Sequence, residues 1–221
     1  MRPTIERTQR LRVTFAKGEE VKYISHLDLM RLWERALRRA QVPLLHSQGY
    51  NPRPKMSLAV PLAVGITGQR EILDVMIERP LAPLDFASAL KRKLPQGITI
   101  VEVEEVYATL PALQTQVQGA EYLAIIAGTE EAQHIEARLE SLLSSDHLPR
   151  QRRGKEYDLR PLIEDLWLEV DDEGQYTLGM RLLAGQEGAG RPDEVLQQLG
   201  LADGVKGITR TRILFSAAGE T

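Results

Sequence analysis

The chain has 221 residues, 43% of them hydrophobic, which suffices for one large domain or two of roughly 100 residues each. It contains no cysteine, which excludes disulfides, thiolate metal sites, an iron–sulfur cluster held by this chain and a cysteine nucleophile; its four histidines (His26, His46, His134, His147) lack the close spacing of a metal-binding helix, so no metal site is expected. The net charge of −3 is unevenly spread: residues 1–55 balance at +7, residues 56–149 at −7 and residues 150–221 at −3.

No window reaches the ~18 consecutive apolar residues of a membrane span, and Met1–Arg7 lacks the apolar stretch of a secretory leader, so a cytoplasmic location is expected. Leu11-Arg12-Val13-Thr14-Phe15 alternates apolar with polar residues and predicts a strand closed by Lys17-Gly18. Ser25 predicts a helix N-cap, with Asp28 three residues on; Leu29, Trp33, Ala36, Leu37 and Ala40 follow at helical spacing until Pro43 ends the run. Gly49, Pro52 and Pro54 predict a loop over 47–55. Strands over 56–64 and 71–77 joined as a hairpin, a helix over 83–94 and a strand over 98–103 complete a β-α-β-β-α-β order, the ferredoxin-like arrangement.

The second half repeats that order. A strand over 122–127 leads to a helix over 130–143 with Ile135, Leu139 and Leu142 inward; a hairpin of 166–170 with 176–183, a helix over 192–199 and a strand over 210–215 follow. The expected fold is therefore α+β: two tandem ferredoxin-like units, 1–107 and 120–221, with antiparallel sheets, helices on one face and a linker at 108–119.

Four segments carry chemistry. With the apolar side of the first helix turned inward, Arg31, Arg35, Arg38 and Arg39 project outward with only Glu34 among them, and planar guanidinium forks suit phosphates; the competing reading is a solvated face with a Glu34–Arg38 pair. The loop after it sets Tyr50 and Asn51 beside Arg53 and Lys55, an aromatic among cations of the kind that holds single-stranded RNA, unless Tyr50 packs on the core. His26 and Asp28 form an acid–base pair on paper, but at a helix start capping is the better reading. Arg152, Arg153 and Lys155 form a second basic cluster, and the glycine-rich 184–192 reads as a flexible loop.

Tyr23-Ile24-Ser25-His26-Leu27-Asp28, Arg35-Ala36-Leu37-Arg38-Arg39-Ala40, Ser47-Gln48-Gly49-Tyr50-Asn51-Pro52 and Leu62-Ala63-Val64-Gly65 together resemble the uncharacterised radical-SAM-linked protein family. A weaker likeness continues through Arg153-Gly154-Lys155-Glu156-Tyr157-Asp158-Leu159-Arg160-Pro161. The resemblance implies a radical SAM protein as partner, with S-adenosylmethionine and the iron–sulfur cluster held there and no cofactor on this chain. The function expected is a non-catalytic RNA-binding or substrate-presenting module. The alternatives are a metal-independent endoribonuclease using His26 or His46 as acid or base, and a protein–protein adaptor.

Overall fold

Alternation along the first strand, β1 (Gln9–Lys17), predicts one buried face, yet both are covered. Leu11, Val13 and Phe15 enter an apolar cluster with Trp33, Leu37, Leu73 and Phe86. Arg10 and Arg12, at the intervening positions, are buried as well because Asp74 accepts from both, at 2.8 Å from Arg10 Nε and 2.9 Å from Arg12 Nε. Arg10 also donates to the carbonyls of Leu110 and Pro111, which draws the segment after the fourth strand back onto this face.

The computed structural model describes residues 8–127, 131–152, 154–185 and 188–216, and the chain divides into two units, Met1–Gln116 and Val117–Thr221. In the first, β1 is followed by α1 (His26–Arg39), β2 (Met56–Leu58), β3 (Thr67–Ile77), α2 (Pro83–Lys91), β4 (Ile98–Val106) and one helical turn, α3 (Leu113–Gln116). The strands pair antiparallel in the order β4-β1-β3-β2. Helix α1 buries Leu29, Trp33, Ala36 and Leu37 as its spacing predicts, and Trp33 meets Phe15 edge-on at 4.9 Å, a contact worth about 1 kcal/mol beyond its burial. The helix stops at Ala40, after which Gln41 takes φ 56° and Pro43 follows.

The second unit contains β5 (Val117–Ile126), α4 (Ala132–Leu143), β6 (Pro149–Arg152), β7 (Lys155–Asp158), β8 (Ile163–Val170), β9 (Tyr176–Gly185), β10 (Gly188–Ala189), α5 (Pro192–Gln198) and β11 (Val205–Phe215). Its main strands pair antiparallel in the order β11-β5-β9-β8. Fourth beside first, first beside third, third beside second: the four main strands of each unit follow the same rule. Ile135, Leu139 and Leu142 of α4 are buried.

The expected elements differ from the observed ones at several places. The strand over 56–64 ends at Leu58, because Pro61 has no N–H for a ladder; Ala59, Leu62 and Ile66 are buried outside any strand. The linker is shorter than 108–119: β5 begins at Val117, and Gly119 sits inside the ladder opposite Leu183, where a Cβ would lie 2.9 Å from the Leu182 carbonyl oxygen. Glycine stands there for close backbone approach rather than for a turn. In the glycine-rich segment, Gly188 and Ala189 pair with Gly185 and Ala184 as a short ladder; Gln186 and Glu187, and the helix start at Glu130, lie outside the described residues. Across β8 and β9, Trp167 lies over Gly179, where any Cβ would fall inside the indole.

Candidate nucleic-acid interface

Ser25 begins α1 by accepting from the Asp28 N–H at 3.2 Å, while its hydroxyl donates to Asp28 Oδ2 at 2.7 Å. That bond, reinforced by Arg31, holds the Asp28 carboxyl below the usual carboxylate range. Asp28 is thus a cap, as expected. His26 is the first residue of the helix, half-buried, its Nδ1 without a hydrogen-bond partner; His46 is exposed and bridged through its backbone to Pro54. Among the described residues neither imidazole meets a carboxylate or the other histidine.

All four predicted arginines of α1 are exposed, but they differ in what they touch. Arg31 reaches Asp28 at 3.3 Å, Arg38 reaches Glu34 at 2.7 Å, and Arg39 donates to the Lys93 carbonyl at 2.6 Å. Arg35 has no hydrogen bond or ion pair among the described residues. Arg31, Arg35 and Arg39, four residues apart, form one row about 6 Å from step to step along the axis. They line a groove of about 400 Å³ with Asp28 as its one acid and Ile24, Leu32 and Pro95 as its apolar walls. Arg38 lies outside it.

The segment after α2 that supplies Pro95 to the groove carries cations that the sequence reading missed. Lys91, Arg92 and Lys93, at and just past the end of α2, are all exposed, and the bond from Arg39 to the Lys93 carbonyl fixes that segment beside α1. The signal was a run of three cations, masked because it sits in the acidic third of the chain.

The loop over 46–55 forms a short tongue: His46 bridges Pro54, Ser47 N–H donates to the Arg53 carbonyl at 2.8 Å, and the Ser47 hydroxyl accepts from Arg53 N–H at 3.0 Å. At its tip Gly49 takes φ 131°, and Tyr50 is 103% exposed, which rules out the reading in which its ring packs on the core. Asn51, Arg53 and Lys55 are exposed with it.

In the second unit the other basic cluster forms the β6–β7 hairpin, which the sequence reading did not foresee. Arg150 donates to Glu194 at 2.7 Å and to Gln197 at 2.7 Å; Arg160 donates to the carbonyls of Leu143 and Ile163. Asp158 accepts from the Leu148 and Arg160 N–H groups and pairs with His147, and these bonds hold its carboxyl down at about 2. Lys155 is exposed and Arg152 half-buried; Arg153 lies outside the described residues.

A family model described as "Uncharacterized protein conserved in bacteria (DUF2344)" matches residues 10–192. The chain belongs to this family. Among curated proteins, none matches the DUF2344 chain in sequence. Among solved structures it is similar to a chain of the Cbf5–Nop10–Gar1 complex, with 11% identity and a TM-score of 0.51 over 93% of this chain and 48% of that one. It is also similar to a chain of the archaeal box H/ACA sRNP Nop10–Cbf5 complex, with 13% identity and a TM-score of 0.46 over 93% and 47%. The DUF2344 chain thus spans about half the length of these matches, and the first of them shows a shared fold of mixed α+β type with antiparallel sheets. Among the described residues, no helix is long and apolar enough to cross a membrane, and no cluster of metal-ligating side chains occurs.

Proposed function

We propose that this DUF2344 chain is a non-catalytic RNA-binding module that presents its substrate to a radical SAM protein, holding phosphates in the α1 groove and a base on Tyr50. The observation that carries this reading is Arg35: among the described residues, an exposed guanidinium without a hydrogen bond or ion pair, midway in a row of three, in a groove with one carboxylate. An unpartnered fork of donors is available for bidentate phosphate pairing, and the exposed Tyr50 ring offers a stacking face. The radical SAM partner rests on the sequence resemblance alone. We further read both units as ferredoxin-like, on the strand order they share.

Fluorescence anisotropy with labelled single-stranded RNA across a salt series tests the binding. Replacing Arg31, Arg35 and Arg39 together with alanine should weaken binding and flatten the log–log salt slope by about 0.7 per arginine, with the melting temperature falling by no more than about 4 °C for the lost Arg39–Lys93 bond. Tyr50→Ala should weaken binding at every salt concentration, by about 1–3 kcal/mol, without changing the slope. Equal binding by parent and triple variant overturns the reading, and cleaved RNA would make the chain an enzyme.

A further inference from the structure

Strand β4 pairs on one side only among the described residues, with β1, so a nine-residue run of backbone donors and acceptors lies along its outer edge. Folded proteins normally blunt such an edge with lysine or proline. Neither occurs in β4, which reads Ile98-Thr99-Ile100-Val101-Glu102-Val103-Glu104-Glu105-Val106; its protection is acidic charge and a bulge, which turn away an ordinary strand but not a basic one. The register shift against Thr14 and Phe15 leaves Val101 as an extra residue, 47% exposed. Beside this edge runs a groove of about 610 Å³ between β4 and α2, lined by Leu84, Ala87, Leu94, Ile100, Val101 and Val103 among others, with Lys91 and Glu102 as its two charged members. Leu84 is 81% exposed on its rim. An open strand edge next to an apolar trough under a helix is the geometry that accepts an added strand: main-chain bonds give affinity, and alternate side chains fill the trough.

Charge selects the occupant. Glu102, Glu104 and Glu105 are exposed along β4; Glu102 pairs with Arg70 and Glu105 accepts from Gln9, whereas Glu104 has no hydrogen bond or ion pair among the described residues, which leaves the edge a net acidic line with Glu104 as its open carboxylate. A second copy pairing antiparallel through β4 would set glutamates against glutamates, which is destabilising. We propose that the β4 edge and the groove beside α2 dock an extended segment of a partner protein in which apolar and basic residues alternate. Its apolar side chains enter the trough, and its cations meet the acidic edge at Glu104.

The test uses the whole chain and two synthetic heptapeptides, one alternating lysine with valine, the other glutamate with valine. The lysine peptide binds with a Kd below about 1 mM and the glutamate peptide does not. Amide hydrogen exchange slows along 99–106. Leu84→Asp combined with Val101→Lys lowers affinity at least about tenfold, and because both side chains are exposed, the melting temperature holds. The Arg31, Arg35, Arg39 triple variant binds the peptide as the parent does, which separates this site from the RNA groove. Equal binding of the two peptides, no binding of either, or unchanged affinity in the double variant overturns the proposal. So does a concentration-dependent dimer of the chain that Val101→Lys abolishes, which assigns the edge to a second copy.

Discussion

On α1, four arginines stand exposed and Arg35 has no hydrogen bond or ion pair among the described residues, whereas in and just after the β6–β7 hairpin Arg150 and Arg160 are committed to the chain itself. In sequence the two segments look alike, a dense run of cations with few acids. What separates them is what other segments bring within reach. Glu194 comes to Arg150 from 44 residues away, and the Leu143 carbonyl comes to Arg160 from the end of α4. Among the described residues the acceptors around α1 are Asp28, Glu34 and one backbone carbonyl, too few for four guanidiniums. A basic run reports where cations are; the fold decides which remain available.

The comparison is sharpest where an arginine is fully committed. Asp74→Ala leaves Arg10 and Arg12 buried without their carboxylate and should cost about 3–5 kcal/mol in denaturant unfolding. A loss below about 1 kcal/mol would mean that these arginines do not depend on it. Arg150→Ala should cost about 2 kcal/mol of stability, since it removes the one side chain that, among the described residues, bonds the largely buried Glu194 carboxylate, and should leave RNA affinity unchanged. If affinity falls instead, the hairpin is part of the interface. Asp158 adds a pH signature. Its carboxyl at about 2 lies below the ordinary value of 3.8, so its stabilisation is complete above about pH 4 and is lost as pH falls toward 2. The melting-temperature difference between parent and Asp158→Asn should therefore be constant at neutral pH and shrink over that acid window. The smallest effect belongs to Arg38, which is already paired with Glu34 and lies outside the groove. Arg38→Ala should alter stability by no more than about 0.5 kcal/mol and RNA affinity less than Arg35→Ala does; the reverse ranking would move the binding face around the helix.

Helix α1 was legible because its information is local: a Ser25 cap, apolar residues at 29, 33, 36 and 37, and a proline stop. The exposed arginine face follows from the same periodicity. The extent of β2 was not legible, because Leu58–Val64 is apolar enough for a strand while Pro61 withholds the ladder bond. The β6–β7 hairpin escaped notice because Arg150, Gln151, Arg152, Lys155 and Glu156 show no apolar alternation; its partners come from α5. The segment after α2 lies beside α1 because Arg39 reaches Lys93 across 54 residues, a contact no periodicity encodes.

The two tryptophans fall one to a unit, in unlike surroundings. Trp33 is wholly buried against Phe15, whereas Trp167 lies over Gly179 with its indole N–H donating to Glu169 at 2.9 Å near the surface. Emission from the first should lie to the blue of the second, and each single Trp→Phe variant leaves one unit optically silent. The chain thus carries a separate native reporter in each half, so whether the two units melt together or in sequence is readable from unlabelled protein.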